Sequence, residues 1–487
     1  MSNPPRKLPV DPEDDCIFDP YDDGPREECG VVGISGIDLA SEQAFLAMYA
    51  HQHRGQEAAG LVTFDDEGPH VLKGEGLVGD IFKTWSVRKL TGRTAVGHVR
   101  YSTAGGSDLD NIQPIIARYA RGQIALAHNG NLTNHYDLRK RLVEDGAIFR
   151  SSSDSEMLVH LIAKSRHDSI DAQVDDALTH LEGAFSIVIS IDDTVYAARD
   201  SRGFRPLVLG RKDGGHVVAS ESCALDILDA EYVRDIAPGE GIKIEDGKVT
   251  QLRSLPPAVS PSPCIFELVY FARPDSRIWG QSVDAARRAF GRRLAIEHPI
   301  EADAVVAVPD SANSAALGYA EESGIPFELG ILRHHYVGRT FIKPSQKDRD
   351  FGARMKYNPV KHVLEGKRVV IVDDSLVRGT TSKSLVRMLR QAGAKEVHFR
   401  IGSPPVKWPC FYGIDMPTKG ELIASSMEVS EIAETLGVDS LGYLSPEGMV
   451  EAVADGGPYC SACFSGEYPA PLIDVDKGFV SSEGPGH

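Results

Sequence analysis

The sequence predicts two successive domains that each mix helices and strands, the second built on a parallel sheet. Three observations carry this. From Cys29 to about Thr250 short β-type runs alternate with helical patterns. The stretch Ser254-Leu255-Pro256-Pro257-Ala258-Val259-Ser260-Pro261-Ser262-Pro263 then breaks all periodicity and reads as a linker. Beyond it, Ala304-Val305-Val306-Ala307-Val308-Pro309 and Val369-Val370-Ile371-Val372 are unbroken apolar runs, the pattern of strands buried on both faces.

In chain order, residues 1–28 are acidic and proline-containing with little periodicity, and are expected to form a disordered leader. Strands are predicted in Cys29–Ile34, Thr94–His98, Gln123–Ala127 and Phe185–Ser190, where apolar and β-branched residues cluster between glycine and polar breaks. A helix is predicted over Lys383–Arg390, stopping at Ala392-Gly393. From about Gly456 the chain is rich in Gly and Pro, and it is expected to end in a mobile tail. The expected units are a leader 1–28, a first domain 29–255, a second domain 264–455 and a C-terminal segment 456–487.

Composition limits the partners. The 487 residues exceed one ordinary core, and the 42% hydrophobic content is globular. A formal net charge of −18 argues against nucleic acid or an anionic membrane as partner. No apolar run approaches the length of a membrane span. Asp11, Glu13, Asp14, Asp15, Asp19, Asp22 and Asp23 fit neither a secretory signal nor an Arg-rich transit peptide, so a cytoplasmic location is expected. Seven cysteines in such a chain make no disulfide scaffold and need individual explanations.

The most informative stretch runs from Val369 through Asp373, Asp374, Ser375, Leu376, Val377, Arg378, Gly379, Thr380 and Thr381 to Ser382. It joins the carboxyl end of a buried strand to the start of a helix. Ligands of open α/β sheets bind there, and the unpaired N–H groups of a helix start suit a phosphate. The two carboxylates cannot hold phosphate; they can hold Mg²⁺ or sugar hydroxyls beside it. A phosphorylated sugar bound with metal follows. No G-x-x-x-x-G-K-[ST] and no G-x-G-x-x-G is present, which disfavours a nucleoside triphosphate loop and a dinucleotide fold. The plainer alternative is an acid pair at a helix start, but two acids directly after a buried strand are costly without a partner.

This segment closely resembles the diphosphoribosyl-pyrophosphate motif of type I phosphoribosyltransferases. The resemblance implies that Asp373 and Asp374 contact ribose hydroxyls and that the Ser375 to Thr381 loop, with Arg378, Gly379 and Thr380, cradles the 5-phosphate. Ser311 in Val308-Pro309-Asp310-Ser311 matches a family position for Mg²⁺ or pyrophosphate, although by itself it is no more than a helix cap. The basic segment from Arg339 to Lys356 could be a cover over pyrophosphate or simply a solvated loop.

In the first domain, Glu27-Glu28-Cys29-Gly30-Val31-Val32-Gly33 places one cysteine at the end of the leader. Alone it reads as a buried structural thiol. Four polar, Gly-interrupted segments shift that reading: Gln52–Glu57, Gly97–Thr103, His128–Leu132 and Ser153–Glu156. Together they resemble class II glutamine amidotransferases, the N-terminal nucleophile glutaminases. The resemblance implies an α+β domain layered αββα, in which Cys29 attacks the glutamine amide with its own α-amine as base once the leader is gone. It further implies an oxyanion hole from the Asn129 side chain and Gly130 N–H. Arg100 would clamp the glutamine α-carboxylate with help from Thr103, Asp154 would pair with the α-ammonium, and Arg54 would support the closing glutamine loop.

Both halves in this order, joined through Cys264–Glu267 and Tyr270–Ser276, resemble the glutamine phosphoribosylpyrophosphate amidotransferase family from Cys29 to about Cys463. Implied are glutamine and phosphoribosyl pyrophosphate (PRPP) as substrates, Mg²⁺, passage of ammonia between the domains, purine nucleotide feedback inhibitors and a homotetramer. Cys460-Ser461-Ala462-Cys463 is a C-x-x-C, open between redox, zinc and iron–sulfur roles. Cys264 and Cys410 resemble the remaining ligand positions of the cluster-bearing branch, which implies a [4Fe–4S] cluster on four thiolates. Cys16 and Cys223 are left over. Two other readings are a cluster-bearing PRPP-binding regulatory protein without glutaminase activity and a glutaminase feeding a sugar isomerase. The Cys29, Arg100, Asn129 and Asp154 set opposes the former, and the 369–382 motif opposes the latter.

Overall fold

A computed structural model describes residues 29–101, 109–252, 260–334, 356–453 and 457–473. Successive strand residues face opposite sides of a sheet, and this sorts the first domain into layers. In strand Gly30–Ser35, Val31 joins a core with Val62, Val96, Ala125, Ala127, Val188 and Val218. Its neighbour Val32 faces the other way, toward Ala44, Ala47, Met48 and Leu225. In strand Gly122–Leu132 the same alternation sends Ala125 and Ala127 to the shared core, and Ile124 and Leu126 toward Leu138, Leu158, Ile162 and Val174.

Two antiparallel sheets therefore stack face to face. One has seven strands, in spatial order Glu231–Asp235, Val208–Lys212, Gly215–Ala219, Gly30–Ser35, Thr94–Arg100, Ala58–Asp65 and Gly68–Glu75. The other has six: Lys248–Gln251, Gly241–Glu245, Thr194–Arg199, Gly183–Ile191, Gly122–Leu132 and Ile115–Tyr119. Helices Ala40–Ala50 and Cys223–Ile227 cover the first sheet. Helices His135–Glu144, Glu156–Lys164 and Ile170–Thr179 cover the second. This is the expected αββα sandwich, and the four expected strands all form.

The second domain carries the expected parallel sheet. Ala304–Ala307, Arg368–Asp373, Glu396–Ile401 and Ser440–Tyr443 pair in that order, every pair parallel. Val370 and Val372 face a core shared with helices Val283–Glu297 and Asn313–Ser323. Val369 and Ile371 face Leu385, Val386 and Leu389 of helix Thr380–Gln391. Burial on both faces explains why these strands read as continuous apolar runs.

Two connecting segments are built into the fold where they are described. Residues 260–264 behave as part of the fold: Ser262 N–H bonds Arg202 O at 2.7 Å and Cys264 N–H bonds Phe204 O at 3.0 Å. Pro blocks its own N–H but not its neighbours', so a Pro-rich stretch can still dock. The C-terminal segment is likewise built in over 457–473, and the tail expected at its end falls on residues 474–487, outside the described residues. Cys460, Cys463, Phe464 and Ala470 are buried in the core of the second domain, and the Tyr412 hydroxyl donates to Ala470 O at 2.7 Å. Its aromatic and thiol side chains outweigh its Gly and Pro content.

Candidate active sites

The first cleft opens where strands Gly30–Ser35, Thr94–Arg100 and Gly122–Leu132 end together. Cys29, Arg100, Tyr101, Asn111, Gln113, His128, Gly130, Ser153 and Asp154 line it. The Cys29 thiol points to Tyr101 O at 3.6 Å. Asn129 is fully buried, and among the described residues neither its Nδ2 nor its Oδ1 meets a hydrogen-bond partner. An unpaired buried amide is expensive unless a ligand completes it. Gly130 must be glycine: its φ is +143°, and a Cβ would fall 2.0 Å from Ala184 O.

Asp154 sits against the same cleft. Burial opposes its charge, yet the His128 ring, Nδ1 at 3.6 Å, and the Leu132 N–H at 3.0 Å hold its carboxyl below the usual range. An anionic group is thus available for a cation, while Arg100, 6% exposed, supplies the opposite charge. Beneath the cleft, burial drives His98 down to about 3, so its neutral ring donates from Nε2 to His128 O at 3.1 Å. Thr103 lies outside the described residues.

Arg54 is not on the cleft wall. It is 1% exposed, bonds Glu221 through Nε, and reaches Glu267 through Nη1 at 3.3 Å and Nη2 at 2.5 Å. Burial opposes ionisation of Glu221, but Arg54 and His53 hold it well below its ordinary value. Glu267 belongs to the entrance of the second domain, so Arg54 fastens the two domains beneath Gly30. From the sequence alone its paired glutamates, 167 and 213 residues away, were invisible.

The second cleft lies at the carboxyl end of strand Arg368–Asp373. Burial and the neighbouring Asp374 charge push Asp373 well above the carboxylate range. Burial also raises Asp374, against hydrogen bonds from Ser311 and Ser375 and the charge of Arg287. Ser375 Oγ donates to Asp374 Oδ1 at 2.7 Å. So Ser311, predicted from a separate motif, does meet the acid pair. Gly379 has a φ of +80° and turns the loop into helix Thr380–Gln391, putting Thr380 and Thr381 in its first turn. Arg378 leans outward to Glu421 Oε1 at 3.1 Å. The expected cover from Arg339 lies outside the described residues up to 355.

Cys264, Cys410, Cys460 and Cys463 gather where the linker, a late loop and the C-terminal segment meet. None exceeds 8% exposure and no disulfide joins them. Cys264 and Cys460 form a parallel backbone bridge, and Lys407 and Trp408 N–H groups bond Cys463 O at 2.9 and 3.1 Å. Burial, then the neighbouring Cys410, pushes the Cys460 thiol up to about 12. Burial, then Cys264, Cys460 and Cys410, pushes Cys463 well above its ordinary value. Among the described residues no three His, Cys, Asp or Glu side chains converge on a point that could hold a single metal ion. Cys223 is buried apart, 3.9 Å from Glu221 Oε2. Cys16 lies outside the described residues.

Sequence reasoning gave no role to Asn111, Gln113, His128 or Ser153, which line the first cleft. His128 and Ser153 stood inside quoted polar segments and carried that signal. Asn111 and Gln113 carried none.

Comparison with known proteins gives one answer along the chain. A glutamine amidotransferase domain matches residues 98–226, and a phosphoribosyl transferase domain matches residues 279–401. Over 472 residues the chain is 50% identical to amidophosphoribosyltransferase 2, chloroplastic, of Arabidopsis thaliana, covering 96% of this chain and 83% of that one. Over 458 residues it is 47% identical to the amidophosphoribosyltransferase of Bacillus subtilis, covering 92% and 95%. Among solved structures, the glutamine PRPP amidotransferase from B. subtilis complexed with ADP and GMP matches with a TM-score of 0.87 and 46% identity, over 91% of this chain and 98% of that one.

Proposed function

The chain belongs to the amidophosphoribosyltransferase family, and from that membership we propose how its two clefts divide the work. The enzyme converts glutamine and PRPP to phosphoribosylamine, glutamate and pyrophosphate, the first committed step of purine synthesis. In the first cleft the Cys29 thiol attacks the glutamine side-chain carbonyl. The oxyanion is received by the Gly130 N–H and the Asn129 amide; one such donor typically lowers a barrier by about 3–4 kcal/mol. Arg100 takes the α-carboxylate as a bidentate pair and Asp154 the α-ammonium. Thr103 adds a hydrogen bond to the carboxylate, and Arg54 acts from below as a support. A base is needed for the thiol, and the α-amine of Cys29 provides one after removal of residues 1–28. The buried, partnerless Asn129 amide beside Gly130 is the observation that carries this reading.

In the second cleft Asp373, Asp374 and Ser311 are hard oxygen donors, and two adjacent carboxylates, both raised by burial and Asp373 also by the Asp374 charge, fit a divalent cation. Mg²⁺ bound there would neutralise the departing pyrophosphate. Ser375 and Arg378–Thr381 hold the 5-phosphate at the helix start, and the acids orient the ribose hydroxyls. The four cysteines are a soft, buried donor set. Zinc or a [4Fe–4S] cluster would use the same four thiolates, and the resemblance of their positions to the cluster-bearing branch favours the cluster. Such a cluster would supply a cross-link between three chain segments.

Purine nucleotides as feedback inhibitors, a homotetrameric assembly and a cytoplasmic location complete the proposal. The B. subtilis structure was solved with ADP and GMP, the plant relative is named chloroplastic, and no described helix is long and apolar enough to cross a membrane.

Turnover on glutamine plus PRPP tests the division. Cys29→Ala should lose glutamine-driven synthesis by at least on the order of 10⁴-fold, the scale of removing a covalent nucleophile. It should keep ammonia-driven synthesis. Asp373→Ala should lose both. Equal loss of both activities in Cys29→Ala would contradict the two-cleft reading.

A further inference from the structure

The oxyanion strand of the first domain is backed by the second domain at one point. Gly413, on the loop that follows Cys410, has a φ of +108°, and a Cβ there would lie 3.0 Å from both the Cα and the carbonyl carbon of Gly130. The two backbones are therefore in van der Waals contact, one from each domain. Three side-chain contacts hold the loop in that position. Asn131, next to Gly130, donates from Nδ2 to Phe411 O at 2.9 Å. Arg205, fully buried, donates to Tyr412 O from Nε at 3.1 Å and Nη2 at 2.5 Å. Phe204 stacks on Tyr412 with ring centroids 4.3 Å apart.

On its other side Gly130 touches Ala184 and Phe185, where a Cβ would come within 2.0 Å of Ala184 O. Gly130 is thus clamped between its neighbouring strand Gly183–Ile191 and the loop of the second domain. An oxyanion donor works only if its N–H is fixed before the charge forms, and misplacement of a donor by a fraction of an ångström weakens it.

We propose that the loop Phe411–Gly413 is a positioning element for the glutaminase reaction: it fixes the Gly130 N–H from behind, with Asn131 and Arg205 as the positioning residues that seat it. The second domain then sets the competence of the first without touching glutamine. This inference rests on the reading of Gly130 as an oxyanion donor. It separates loop position from glutamine binding, because the contacts named above are made by Gly130, Asn131, Phe204 and Arg205, not by Arg100 or Asp154.

The test uses the full-length protein and two variants. Gly413→Ala inserts a Cβ against Gly130; Asn131→Ala removes the tie to Phe411 while leaving packing nearly intact. For Gly413→Ala, kcat for glutamine-driven synthesis should fall 10- to 100-fold with the glutamine KM within about threefold, a fraction of the full loss of one donor. Asn131→Ala should fall three- to tenfold. In both, ammonia-driven synthesis and the rate at which iodoacetamide alkylates Cys29 should stay within twofold. Melting temperature and ammonia-driven synthesis report whether the fold survives. The proposal is overturned if glutamine-driven kcat is unchanged in both variants, if only KM moves, or if ammonia-driven synthesis falls in parallel. Cys29→Ala runs alongside: if it also keeps glutamine-driven synthesis the glutaminase reading itself fails, whereas a dead Cys29→Ala beside normal loop variants defeats only the role of the loop.

Discussion

Lys73 donates from Nζ to Ile112 O at 2.8 Å, between Asn111 and Gln113, both of which line the first cleft. Burial, against the nearby Asp110 charge, brings its pKa from 10.5 down to about 8. In the unfolded chain the amine keeps its proton up to about 10.5, and in the folded protein only to about 8. Between these values the unfolded state binds more protons, so stability rises with pH; below about 8 the cost of the buried charge is present in full. Lys73→Met removes the charge. The stability difference, native minus variant, should therefore be most negative below pH 8, climb from about 8 to 10.5 and then level off. Denaturant titrations across that range check it, and a flat difference contradicts it. Nothing local marked Lys73, because its partner stands 39 residues along the chain. Asp373 and Asp374 were legible for the opposite reason: their meaning lies in adjacent residues, a buried strand before them and a helix start behind. Arg54 falls between these cases, visible as a polar residue in a Gly-flanked turn while its partners Glu221 and Glu267 were not legible.

At the level of elements, periodicity placed strands well because both cores select by face. The run Val369–Val372 could only be a strand buried on two sides, and Val31 and Val32 divide between two cores as alternation requires. What periodicity left out is how a loop meets the next element. Gly379 is the clearest instance. Its φ of +80° lets the 375–379 loop enter helix Thr380–Gln391, and a Cβ would press closely on one atom, the Cδ1 of Ile423 at 2.9 Å, a side-chain end that can move. The cost of alanine is then mainly the left-handed backbone, about 1–2 kcal/mol. Gly379→Ala should lower stability by roughly that amount and raise the KM for PRPP, as the first-turn N–H groups shift. Glutamine hydrolysis in the first cleft should be little affected. An unchanged PRPP KM would mean that the helix start does not hold the phosphate.

Across the whole molecule, buried charge ties the two domains together, and four cysteines gather beside those ties. Arg54 holds Glu267, Arg287 bonds the carbonyl groups of Leu268, Tyr270 and Ala272, and the Arg287 charge also reaches Asp374 in the second cleft. Cys264 stands three residues before Glu267, whose N–H bonds Cys264 O at 3.1 Å. Cys410 begins the loop that backs Gly130. Two of these thiols therefore sit where interdomain contacts start. A ligand bound to the folded chain alone stabilises it by mass action, and thiolates with raised pKa are released from their protonated state by a metal. Cys460→Ser keeps the small side chain beside Cys264 but removes one soft ligand. Purified without air, the native protein should carry iron and visible absorption, and the variant should lose both. The variant should also melt at lower temperature and be cleaved faster by protease around residues 260–264, since that strand-like segment is pinned to the Cys460 backbone through Ile265 N–H at 3.2 Å and Cys460 N–H at 2.8 Å. Iron retained in Cys460→Ser would remove this thiol from the ligand set, and zinc in place of iron in the native protein would replace the cluster by a different metal. A variant that loses iron but keeps its melting temperature and protease resistance would leave the cluster with no part in joining the domains.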